Sequence, residues 1–130
     1  MKILAPISLG ELVDKITILE IKVTRASGAS LQNVGNELAQ LTEVLESLDA
    51  AIDPELISKL KSTNQRLWTI EDKIRAMESE SDFGEKFVEL ARCVYRENDA
   101  RAKLKQLINQ RYKSLIIEEK LYAPYGPSPE

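Results

Sequence analysis

Residues 30–52 read SLQNVGNELAQLTEVLESLDAAI. Their apolar members, Leu31, Val34, Leu38, Leu41, Leu45, Leu48 and Ile52, recur at spacings of three and four without a miss. A helix places such residues on one line, and an unbroken alternation of this kind is the a/d seam of a coiled coil. Helix therefore governs the middle of the chain, and the surrounding sequence permits it on both sides. The prolines stand at 6, 54, 124, 127 and 129, which leaves 7–53 and 55–123 free of the strongest helix breaker.

Working outward, Ser30 is a cap for this helix, and Ser27-Gly28 ends the one before it. That earlier helix opens at Ser8, with Glu11 in the capping-box position, and carries Leu9, Leu12, Ile16, Leu19, Val23 and Ala26 on one stripe. On the other side, Asp53 caps a third helix with Pro54 at its first position. Leu56, Leu60, Thr63, Leu67, Ile70, Ile74 and Met77 continue the same rhythm until Ser79–Gly84 interrupts it. A fourth helix from about Phe83 carries Phe87, Leu90 and Val94 and then, after a gap, Leu104, Ile108 and Tyr112.

The expected fold is all-α, an antiparallel four-helix bundle with coiled-coil-like heptads, forming a single domain over residues 1–123. The short aliphatic ends, Lys2–Ala5 and Leu115–Lys120, are suited to pairing as a small two-stranded ribbon. The tail 124–130 is expected to be disordered.

Composition narrows the chemistry. Among 130 residues there are 18 Lys and Arg, 21 Asp and Glu, one Cys and no His. Imidazole bases, nearly every zinc site and an internal disulfide are excluded, so catalysis would have to run on carboxylates, Lys, Arg, Tyr, hydroxyls, Cys93 or electrostatics. No metal and no cofactor is expected. Cys93 reads as a half-buried structural thiol. A net charge of −3 argues against non-specific nucleic-acid binding as the main activity. No apolar run approaches the length of a membrane span, and MKILAPISLGELVDK is neither a signal nor a transit peptide, so the expected location is cytoplasmic.

The pattern breaks in the fourth helix. The stripe through Phe87, Leu90 and Val94 calls for apolar residues near 98, 101 and 105, where the chain has Asn98, Arg101 and Lys105. Cations on a core-facing line need a partner, water or a ligand. On the third helix Asn64, Trp68, Glu71 and Arg75 form a polar stripe beside the core, and on the first Glu20 adjoins Ile16 and Val23. The expectation is that these sets converge, with Glu20 and Glu71 facing Arg75, Arg101 and Lys105 around Trp68 and Tyr95. Such a chamber either binds an anionic ligand or is a structural network that fixes register. By contrast, Glu11 and Asp14 read as solvated first-turn charges that complement the helix dipole. Ile18 and Ile21 give the first helix a second apolar face, which a homodimer or a central position in the fold would bury.

The segments GELVDKITILEIK (10–22), NQRLWTIEDKIR (64–75) and FVELARCVYRENDARAKLKQLINQR (87–111) resemble an uncharacterised family of small bacterial and cyanophage proteins. The resemblance covers nearly the whole chain and implies a domain of unknown function that also occurs alongside glycosyltransferases or tetratricopeptide repeats. It supplies no activity, cofactor or catalytic residue. It does imply that Glu11, Asp14, Lys15, Glu20, Asn64, Trp68, Glu71, Asp72, Arg75, Arg92, Tyr95, Asn98, Asp99, Arg101 and Lys105 belong to a shared pattern.

Three functions fit the sequence. The leading expectation is a dimerising module that binds a partner protein or a small anion. The second is a small all-α enzyme acting by electrostatic preorganisation in the manner of helical chorismate mutases, with Arg75, Arg101 and Lys105 holding carboxylates. The third is a magnesium-dependent nucleotide pyrophosphohydrolase using the Glu11, Asp14, Glu71 and Asp72 carboxylates.

Overall fold

A computed structural model describes residues 1–126 of the chain. Four helices follow in order, α1 (Leu9–Val23), α2 (Gly28–Ser47), α3 (Pro54–Ser79) and α4 (Glu85–Arg111). The caps are those the sequence announces. The Ser8 hydroxyl accepts from the Glu11 amide at 3.0 Å, and the Asp53 carboxylate accepts from the Glu55 amide at 2.9 Å with Pro54 behind it. The α1–α2 boundary differs from the expected one. Helix α1 already ends at Val23, Ser27 rather than Ser30 precedes α2, and Gly28 takes a left-handed φ of +56° as the chain turns back. Helix α2 stops at Ser47, so Leu48 and Ile52 close the heptad seam from outside the helix.

The bundle runs up-down-up-down. Contacts of residues 10, 11 and 14 with 109, 105 and 101 set α1 antiparallel to α4, and contacts of 14 and 25 with 64 and 72 set it parallel to α3. Helix α1 is central, lying against the other three, whereas α2 lies against α1 alone among the helices. This position answers the two-faced pattern of α1 within one chain. Leu12, Ile16 and Leu19 are buried, and so is Ile21 on the second face.

The apolar core lies low in the bundle. Val13 of α1, Leu56 and Leu60 of α3 and Ile108 of α4 meet there, with Leu9, Leu45, Ile52, Ile57, Leu104 and Tyr112 packed around them. Farther along, α3 and α4 form a long hairpin whose facing residues are only half-buried. Helix α2 has no buried residue, and Leu31 and Val44 on it are exposed at 39% and 48%.

Neither chain end is a strand among the described residues, so the expected ribbon does not form within the chain. Residues 1–7 carry no regular secondary structure and are exposed. Residues 114–125 run back along α4 as a strap, pinned by Glu118 on Lys105 and Lys120 on Asp99, with Tyr125 edge-on to Tyr95 at 4.6 Å. Of the tail expected from Pro124 onward, residues 127–130 lie outside the described residues. No described helix is long and apolar enough to cross a membrane.

Candidate functional site

The third line of α1, Gly10, Asp14, Thr17 and Ile21, points between α3 and α4, and all four residues are buried. At Gly10 the helices nearly touch. A Cβ built there would stand 2.6 Å from the Lys105 carbonyl oxygen, and the Gly10 amide donates to Asn109 Oδ1 at 2.7 Å. This close approach delivers Asp14, at 0% exposure, to the two cations of α4.

Asp14 is the hub. Its Oδ1 accepts from Arg101 Nε at 2.9 Å and from Asn64 Nδ2 at 2.9 Å, and its Oδ2 accepts from Arg101 Nη2. The two-pronged guanidinium contact is the strong form of this pair. Asn64 also donates to Thr17 Oγ1 at 3.0 Å, and that hydroxyl donates to the Asp14 carbonyl at 2.8 Å. One turn below, Lys105 is held by Glu11 and, at 3.4 Å, by Glu118 of the strap, which the Ser8 hydroxyl also engages. No buried side-chain nitrogen or oxygen lacks a partner among the described residues.

The protonation energetics follow the geometry. The Asp14 hydrogen bond raises the Arg101 pKa against the opposing effect of burial. For Lys105 burial is the largest influence and pulls the pKa down, but the Glu11 contact and the surrounding carboxylates outweigh it and hold the ammonium above its ordinary value. Burial pushes Glu118 up, and the Ser8 hydroxyl and the Lys105 charge together draw it below the ordinary range. Arg101, Lys105 and Glu118 are each stabilised in the charged form.

The expected constellation is therefore rearranged. Arg101 and Asn64 do meet, but on Asp14. Lys105 belongs to the same cluster through Glu11, and both carboxylates come from the first turns of α1 that read as solvated. Glu20 instead pairs with Lys61 at 2.9 Å, and Glu71 with Arg75 at 3.6 Å along the surface of α3, where Arg75 is 80% exposed. Trp68 lies under the Arg25 guanidinium at 5.0 Å, while Tyr95 sits on the far side of α4 against Tyr125. The cause is the rotation of α1, which turns positions 10, 14 and 17 rather than 20 toward α4.

Two open hollows adjoin the cluster. One, about 420 Å³, is bounded by Ile18, Ile21, Asn64, Leu67, Trp68, Glu71, Asp72, Arg75, Asn98 and Arg101. The other, about 910 Å³, is a trough between α4 and the strap. Asn98 and Arg101 line both. The cluster counts three carboxylates, Glu11, Asp14 and Glu118, against Arg101, Lys105 and, at 3.9 Å from Glu11, Lys15, so it carries no excess positive charge.

The sequence singled out Glu11 and Asp14 but as solvated first-turn charges, and Thr17, Asn109, Gly10 and Glu118 were not among its candidate site residues. A signal existed for the α1 members, because Gly10, Asp14, Thr17 and Ile21 are spaced four, three and four and so form a helical line of their own.

Fold and cluster define a small helical bundle whose interior is stapled by a buried carboxylate–guanidinium pair. The chain belongs to a protein family described as a family of unknown function (DUF6165), whose pattern matches residues 1–130. No curated protein and no solved structure matches it.

Proposed function

We propose that this chain is a self-associating helical module that acts through assembly rather than catalysis, with the Asp14–Arg101 cluster as its internal staple. The observation that carries this reading is surface area. The chain exposes 9335 Å². A compact monomer of its mass, 14.7 kDa, exposes about 6,900 Å². The excess of about 2,400 Å² is of the size one protomer gives up in a stable homodimer, where the two together bury roughly 2,000–5,000 Å². Among the described residues, large apolar side chains are exposed on α2 (Leu31, Val44), on the α3–α4 hairpin (Phe83, Val88, Leu107) and at the two chain ends (Ile3, Leu4, Leu115, Leu121).

The cluster supports the same reading. Arg101 and Lys105 already face internal carboxylates, so a bound anion or a carboxylate substrate would have to displace Asp14, Glu11 or Glu118. Glu11 and Asp14, the acids a magnesium hydrolase would need, are turned onto those same cations.

Sedimentation equilibrium on the full chain at micromolar concentration tests the proposal. The expected species has twice the chain mass of 14.7 kDa. A single species of one chain mass across the concentration range overturns it.

A further inference from the structure

The two ends of the chain set off from one point. The Leu9 amide donates to Ser114 Oγ at 3.1 Å, and Ser8 contacts Glu118. From there residues 1–7 and 116–122 carry no regular secondary structure, and within the described residues neither segment makes a main-chain hydrogen bond to another main-chain group. Both turn large apolar side chains to water. Ile3 and Leu4 are exposed at 78% and 85%, and Leu115 and Leu121 at 102% and 90%. Main chain without main-chain hydrogen bonds, carrying exposed apolar side chains, is a template for a further strand; of its carbonyls, that of Ile116 accepts from Ser114 Oγ at 2.7 Å.

We infer that these segments are the self-association surface, and that residues 2–5 of one protomer pair antiparallel with residues 116–119 of a second copy, reciprocally about a two-fold axis. This rests on the self-association proposed above and names its interface. Three observations point to a second copy as the occupant. The ends are joined at their roots by Leu9–Ser114 and Ser8–Glu118 but make no main-chain hydrogen bond to each other among the described residues, so each chain offers one unfilled partner for each segment. The excess surface is of dimer size. The charges also match: Lys2 and Glu119 make no ion pair among the described residues, whereas Glu118 is engaged by Lys105. In the antiparallel register that sets Lys2 opposite Glu119, Leu4 falls opposite Ile117, an ion pair beside an apolar pair on one face of the ribbon. The isologous arrangement repeats both pairs, so each substitution acts twice in the dimer.

The test is the association constant of full-length variants by light scattering, with helical circular dichroism as the control for folding. Leu4→Asp and Ile117→Asp are expected to leave helicity unchanged, because these side chains are exposed, and to shift the protein to monomer. Lys2→Glu and Glu119→Lys are each expected to weaken the dimer about fivefold, and combining them in one chain restores it. Val44→Glu, at an exposed position of α2 outside the heptad seam, is expected to leave the dimer intact. A wild-type dimer that survives the end substitutions overturns this interface while the proposed function stands. A wild-type monomer overturns both.

Discussion

Replacing Arg101 by Met asks what the buried pair contributes. The substitution keeps the apolar stem of the side chain and removes the guanidinium from a carboxylate that is 0% exposed, leaving Asp14 with Asn64 Nδ2 as its one remaining side-chain donor. Stripping one partner from a buried pair costs about 3–5 kcal/mol. Arg101 is itself 29% exposed, so water enters where the guanidinium was and the expected cost is near the lower end, about 3 kcal/mol. For 130 residues the unfolding entropy is about 0.27 kcal/mol per kelvin, which converts this cost to a Tm drop of about 11 °C. Calorimetry at one fixed protein concentration measures it, since the proposed association would also move Tm. Adding Asp14→Asn in the same chain removes the stranded charge and keeps an acceptor for Asn64, so the double variant is expected to be more stable than the two single losses sum to, by about 1–2 kcal/mol. A drop of under about 3 °C for Arg101→Met, or strict additivity in the double variant, refutes the staple.

Gly10→Ala gains about 1 kcal/mol of intrinsic helix propensity, but its Cβ meets the Lys105 backbone, and chemical denaturation is expected to show a net loss of about 1–2 kcal/mol. A stabilised variant would place α1 farther from α4 than described. The pKa of Glu118 is lowered from an ordinary value of 4.5, so its contribution is present above that pH and lost as pH falls through the lower folded value. Limited proteolysis of the strap is accordingly expected to accelerate on acidification below 4.5, and Glu118→Gln to abolish that step. Inorganic phosphate is expected to raise Tm no more than chloride at equal ionic strength, because Arg101 and Lys105 are already occupied; a saturable phosphate-specific rise would revive the anion-binding reading.

Much of the fold was legible because it rests on local chemistry. Ser8 and Asp53 cap as their side chains predict, Pro54 begins α3, and the 31–52 heptads are helical through Ser47. The number of neighbours was not legible. Periodicity says which face of α2 is apolar but not that α1 alone among the helices covers it, and it cannot choose between central burial and a dimer for Ile18 and Ile21. The site was half legible. Arg101 and Lys105 stood out because cations on an apolar line demand partners, but the partners were assigned to Glu20 and Glu71. Carboxylates in a first helical turn have a ready explanation in the helix dipole, and that explanation concealed Glu11 and Asp14. What the sequence lacked was the rotation of α1, which the close approach at Gly10 fixes.

The proposed completion of the unpaired ends by a second copy is open to direct measurement. Amide hydrogen exchange, followed residue by residue at low and high protein concentration, addresses this directly. Protection of the amides of residues 2–5 and 116–119 is predicted to rise with concentration in step with the dimer fraction, while the amides around Asp14 stay protected throughout. Rapid exchange of both ends at every concentration would contradict the account.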